Sequence, residues 1–134
     1  MSLAGRTIVV TGAGKGIGRA IAVLGAKRGA QIVALARTAQ DLTELAAETG
    51  ARTIAVDLSD AAAARAAAEA AMPADYLVNC AGINVLEPFL ETKVESFDTV
   101  QAVNVRATLI VSQVYAKHRS EEHTSELQSL AYLV

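Results

Sequence analysis

The stretch Thr11-Gly12-Ala13-Gly14-Lys15-Gly16-Ile17-Gly18 lies between an apolar β-branched run, Thr7-Ile8-Val9-Val10, and an apolar helical pattern, Ile17, Ala20, Ile21 and Leu24. Strand, glycine turn, helix is the context in which a glycine cluster constrains a fold. Glycine lets the backbone turn tightly and approach a phosphate closely. The helix behind it aims free N–H groups and the positive end of its dipole at that phosphate. The spacing is Gly-x-x-x-Gly-x-Gly, not the commoner Gly-x-Gly-x-x-Gly of dinucleotide folds. An ordinary glycine-rich turn would also fit the spacing alone; the flanking strand and helix favour a dinucleotide.

The helix runs to about Arg28, with Gly29 as its stop signal. A second strand, Gln31-Ile32-Val33-Ala34-Leu35-Ala36, is apolar on both faces after Gln31, as in a parallel sheet covered by helices. Strand one, Arg6 to Thr11, and this strand then form a right-handed βαβ unit. Arg37 closes it, about 20 residues past the glycines, where an acid would hold the ribose hydroxyls of NAD. A guanidinium there can instead grip the extra phosphate of NADP in bidentate fashion. Lys15 adds a second positive charge in the loop. Each could be a solvated surface cation, but together they favour NADP(H) over NAD(H).

Farther along, Thr38 can cap a helix lined by Leu42, Leu45 and Ala46 and stopped by Gly50. Strand three is Thr53-Ile54-Ala55-Val56, leading into Asp57-Leu58. Asp60 to Ala71 is nearly all alanine and helical on propensity, until Pro73 ends it. Strand four, Tyr76-Leu77-Val78, leads into Asn79-Cys80-Ala81-Gly82. A loop through Pro88 precedes a long helix from about Val94 or Ser96, in which Phe97, Val100, Val103, Ala107, Ile110, Val111 and Val114 recur at helical spacing and Asn104 interrupts the stripe.

Hydrophobic residues make up 52% of the 134 and aromatics 4%, as expected of an alanine-rich α/β domain. A net charge of -2 offers nothing to nucleic acid or an anionic membrane. The single cysteine, Cys80, read as a buried small residue, suits a reducing cytoplasm. No Cys/His cluster argues for a metal, and neither a signal peptide nor a bilayer-spanning run is expected.

In combination these motifs resemble the short-chain dehydrogenases/reductases, over about Leu3 to Lys117. The cofactor loop reads Thr-Gly-x-x-x-Gly-x-Gly, and Asn79-Cys80-Ala81-Gly82 matches the family's Asn-Asn-Ala-Gly segment with Cys80 in place of the second Asn. The dicarbonyl/L-xylulose reductase branch looks closest, from the Val10 to Arg19 loop, Ala36-Arg37-Thr38 and Pro88-Phe89-Leu90-Glu91. The resemblance implies cofactor binding by Thr11, Gly12, Gly14, Lys15, Gly16, Ile17, Gly18, Arg37, Thr38, Asp57, Leu58, Asn79, Ala81 and Gly82. It implies that Asp57 accepts from the adenine amino group, that Asn79 to Gly82 line the nicotinamide ribose, and that Asn104 belongs to a catalytic tetrad through a water on its backbone carbonyl. The bland alternatives are that Asp57 or Ser59 starts the next helix and that Asn104 bonds a helix carbonyl.

The expected architecture is a Rossmann-like doubly wound α/β sheet, N-terminal half only, in strand order 3-2-1-4 with helices on both faces. The family's remaining chemistry needs a Ser on the next strand and a Tyr-x-x-x-Lys on the following helix. This sequence has neither; Tyr115-Ala116-Lys117 puts the two side chains on different helix faces. Residues 119–134 change character, and Arg119 to Ser129 resembles the conceptual translation of a sequencing-library adapter. Residues 1–118 are therefore expected to form a partial domain and 119–134 a foreign tail. Two functions compete. In one, an intact oxidoreductase, homo-oligomeric by resemblance, moves hydride between NADP(H) and a carbonyl or alcohol such as a ketose or dicarbonyl. In the other, the chain is a non-catalytic NADP(H)-binding or interaction module.

Overall fold

A computed structural model describes residues 2–122 of the chain. The described elements are β1 (Thr7–Thr11), α1 (Gly16–Lys27), β2 (Gln31–Ala36), α2 (Ala39–Thr49), β3 (Arg52–Ala55), α3 (Ala61–Ala71), β4 (Tyr76–Asn79), α4 (Val94–Gln101) and α5 (Ala107–Glu122). The strands form one parallel sheet in the order β3-β2-β1-β4, the order expected. Its register puts Val9 beside Val33 and Leu77.

Side chains alternate faces along β1, and each face has its own core. Ile8 and Val10, with Ile32 and Ala34, pack under α1 and α2 through Ala22, Leu42 and Leu45. Val9, with Val33 and Leu35, packs on the other face against Ala67, Ala68 and Ala71 of α3 and Val111 and Val114 of α5. Small alanines along α3 let its backbone lie close to both sheet and α5, so four of its residues, Ala64, Ala67, Ala68 and Ala71, are buried. β1 is central and apolar on both sides, as a strand covered by two helix layers must be.

Several boundaries differ. β1 starts at Thr7, although the Arg6 carbonyl still accepts from the Gln31 N–H at 2.8 Å. β3 ends at Ala55, although the Val56 N–H still reaches the Ala36 carbonyl at 2.9 Å. Thr38 is the residue before α2, but its side chain makes no capping bond. Asp60 does cap α3, accepting from the Ala63 N–H at 3.0 Å.

The expected long helix is not continuous. A π-helical turn, Ala102–Arg106, separates α4 from α5, with the Ala107 N–H bonding back to the Ala102 carbonyl. The widened turn shifts the helical phase, and the stripe splits there: Val103, Ala107, Ile110, Val111 and Val114 are buried while Phe97 is 58% exposed. The boundary expected at His118 falls inside α5, which runs on through Glu122 and holds Arg119 within 3.9 Å of Asp75. The rest of the expected tail lies outside the described residues.

Candidate cofactor cleft

All four strands point their carboxyl ends at one cleft of about 230 Å³. Gly12, Gly14 and Lys15 come from the loop after β1, and Ala36, Arg37, Thr38 and Asp41 from the end of β2 and the start of α2. Val56, Asp57 and Leu58 follow β3, Cys80 to Ile83 follow β4, and Val103 comes from the π-helical turn. A crevice at the strand ends, where the crossovers diverge to either side, is where open α/β sheets bind ligands.

The glycine loop is shaped by close approach. Gly12 has φ +64°, and a Cβ there would sit 2.7 Å from the Ala81 nitrogen, so the loop can lie on the Cys80-Ala81 peptide only as glycine. A Cβ on Gly18 would collide with the Gly12 carbonyl oxygen. Gly16 differs: its φ is +58°, but nothing lies within 4 Å of where a Cβ would be. Lys15 precedes α1 without a capping side-chain bond, and no acid occupies the first turn. The first N–H groups of α1 are therefore free for an anion, beside an open space over Gly16.

Thr11 is 1% exposed, so its part in the site is indirect. Its Oγ1 accepts from the N–H groups of Cys80 and Ala81, each at 3.2 Å, and so ties the end of β1 to the segment after β4. Asn79 faces away from the cleft, its Nδ2 donating to Ser112 Oγ at 3.1 Å. Ile17 is 77% exposed and, with Gly16 and Gly18, stands at the helix start outside the cleft lining. The other expected binding residues, Gly12, Gly14, Lys15, Arg37, Thr38, Asp57, Leu58, Ala81 and Gly82, meet in the cleft. Cys80 is not buried: it is partly exposed and lines the same cleft.

The Asp57 carboxylate accepts from Ser59 Oγ at 2.7 Å and from the Ser59 N–H at 3.0 Å. Those two bonds, with a smaller pull from Arg37, hold its carboxyl below the ordinary 3.8 against the opposing effect of burial. It is a fixed acceptor at neutral pH. The helix that follows starts on Asp60, not on Asp57 or Ser59.

Asn104 sits in the π-helical turn and bonds across to Ile83, not to a carbonyl of its own helix. Arg106, one turn edge away, donates to the Ser59 carbonyl at 2.5 Å. The turn therefore braces both the β3 and the β4 ends of the cleft, and π-helical turns often mark functional sites. Tyr115 is at the other end of the sheet, its hydroxyl donating at 2.7 Å to the carbonyl of Asp75, just before β4.

The places of Asp41, Ile83 and Val103 in the lining, and of Arg106 as a brace, escaped the sequence reading. Asp41 had a usable signal: it falls in the first turn of the helix right after Arg37, and a helix start returns to the strand end it left. The others depend on the π-helical turn, which has no periodicity to read.

A sequence model of the short chain dehydrogenases matches residues 6–126. The chain belongs to the short-chain dehydrogenase family. Its relatives include the L-xylulose reductase of Mus musculus, 47% identical over 87% of this chain and 48% of that protein. The D-erythrulose reductase of Gallus gallus is 48% identical over the same shares, and carbonyl reductase [NADPH] 2 of Sus scrofa is 41% identical over 90% of this chain and 50% of that one. Among solved structures, a blue fluorescent protein from a metagenomic library in complex with NADPH superposes with a TM-score of 0.81 at 33% identity, covering 87% of this chain and 52% of that one. This short-chain dehydrogenase thus spans about half the length of the curated relatives it matches. Among the described residues, no helix is long and apolar enough to cross a membrane.

Proposed function

We propose that the cleft binds NADP(H) in preference to NAD(H), and that it serves an oxidoreductase acting on a small carbonyl or alcohol of the ketose or dicarbonyl kind. One observation carries the cofactor preference: Lys15 and Arg37, far apart in sequence, line the same cleft as the glycine loop. Two cations lining one cleft suit a 2′-phosphate, which a carboxylate at position 37 would repel. The uncapped start of α1 and the open space over Gly16 fit a pyrophosphate. Asp57 offers a charged acceptor to an adenine amino group, and Ala81 and Gly82 leave room for a ribose against the backbone.

A bound nicotinamide would supply or take the hydride. This chain's residues would hold and orient it, with Asn104 the one member of the family's expected tetrad in the sequence. The substrate class is supported by relatives named as reductases of L-xylulose, D-erythrulose and carbonyls. Exposed apolar side chains on and beside α4 and α5, namely Val94, Phe97, Val105 and Leu109, support the homo-oligomer that the resemblance implies. The free thiol of Cys80 suits a reducing, cytoplasmic setting.

A second reading has a specific observation behind it. The 134 residues contain no Tyr-x-x-x-Lys, and the hydroxyl of Tyr115 is committed to the Asp75 carbonyl far from the cleft. By itself the chain is then a cofactor-binding unit without turnover. Fluorescence titration of the purified chain with NADPH and NADH, followed by an absorbance assay with a panel of ketoses and diketones, tests both readings. Tighter NADPH binding without turnover is the expected result. Equal or absent binding of the two dinucleotides would defeat the cofactor preference.

A further inference from the structure

The cleft that holds Lys15 and Arg37 also holds two carboxylates, Asp41 and Asp57. Asp57 is turned onto Ser59. Asp41 is not occupied in that way. It stands at the third position of α2, where an acid commonly reaches back to the backbone N–H of the residue before the helix. Among the described residues its carboxylate makes no such bond. One oxygen lies 3.8 Å from the Lys15 ammonium, across the cleft mouth.

Packing holds the acid there. A Cβ built on Gly14 would be 3.3 Å from the Asp41 Cβ and 3.4 Å from its Oδ2, so the carboxylate rests against the glycine loop itself. Its side chain is 22% exposed, whereas that of Lys15 is 82% exposed. The acid is the enclosed partner and the lysine the exposed one. An anion arriving beside Arg37 and Lys15 meets a negative charge already in place and a lysine already shared.

We propose that Asp41 is a specificity-determining residue that restrains the preference of the cleft for a 2′-phosphorylated ribose, so that the cofactor choice set by Lys15 and Arg37 is moderate and not absolute. The proposal rests on the NADP(H) reading above. The acid lowers affinity for the 2′-phosphate in two ways, by direct repulsion and by drawing the Lys15 ammonium toward itself. It does not repel a ribose with free hydroxyls, because that ligand brings no charge to this corner.

The adenosine-half probes 2′,5′-ADP and 5′-AMP test this on the full 134-residue chain by calorimetric titration at low salt, where charge effects are least screened. Asp41→Asn should bind 2′,5′-ADP about 3- to 10-fold more tightly, with 5′-AMP bound no more tightly, as expected for one charge removed near a partly solvated phosphate. Asp41→Ser should move the same way, which protects the result if the amide variant folds poorly. Asp41→Glu, which keeps the charge, should keep the ratio of the parent chain. If the parent prefers 2′,5′-ADP and neither neutral variant widens that preference, the role of Asp41 is refuted while the NADP(H) reading stands. If neither probe binds parent or variants, both are refuted.

Discussion

Asn104 holds both backbone groups of Ile83: its Oδ1 accepts from the Ile83 N–H at 2.8 Å, and its Nδ2 donates to the Ile83 carbonyl at 2.9 Å. One amide side chain thus pins the segment after β4 as a neighbouring strand would. The arrangement also sets the floor at Gly82, where a Cβ would come 3.6 Å from Asn104 Oδ1. Replacing Asn104 with Ala should release Ile83 and cost about 1–2 kcal/mol, two ordinary hydrogen bonds at a partly solvated site. Hydrogen exchange should show the Ile83 amide losing protection while that of Val10 keeps it. Undiminished protection at Ile83 would show that other contacts hold the segment.

The glycines of the loop should rank by what surrounds them. Gly12→Ala and Gly18→Ala put a methyl against backbone that cannot move aside, so each should cost about 2–4 kcal/mol. Gly16→Ala meets open space and should cost only about 1 kcal/mol for its positive φ. Urea unfolding of the three variants compares them. A Gly16 variant as unstable as the other two would mean that conformation, not crowding, dominates the loop.

Arg37→Asp should weaken NADPH by about 1.5–3 kcal/mol, the range for a charge-assisted hydrogen bond, and shift the preference toward NADH. Titrating the variant with both dinucleotides measures it. Because Arg37 also attracts Asp57, the Asp57 carboxyl should titrate slightly higher in this variant, readable from its NMR shift against pH.

Acid should destabilise the fold through Asp75. The Thr7 N–H donates to its carboxylate at 2.8 Å, and that bond, helped by Arg6 and Arg119, keeps its carboxyl below the ordinary 3.8. A lowered folded value means the unfolded chain binds protons first. Stability is then complete above the ordinary carboxylate value and is lost as pH falls through the folded one. Urea midpoints measured from about pH 6 down to pH 2.5 should fall for the parent chain and fall less for Asp75→Asn, which should be the weaker of the two at pH 6. Parallel curves would place the acid sensitivity elsewhere.

Much of this was present in one dimension. Strand, glycine turn and helix follow one another in sequence, and the doubly apolar run of β2 needs a helix layer on each face, so a parallel sheet was legible from local pattern, while its order followed from the family resemblance. That Gly12, Gly14, Lys15, Arg37 and Asp57 line one cleft was legible for a similar reason: each follows the end of a strand, and a parallel sheet brings all strand ends to one side. What only the tertiary structure decided involves contacts across long gaps in sequence. Thr11 is a brace because β4 happens to lie beside it, and Asn79 is turned to Ser112 by the helix above. The π-helical turn carries no periodic signal, since one widened turn only shifts the phase of a stripe that local propensity reads as continuous. Helix propensity acts between residues three or four apart, whereas the bonds from Asn104 to Ile83 and from Arg106 to Ser59 depend on where the sheet has already placed their partners.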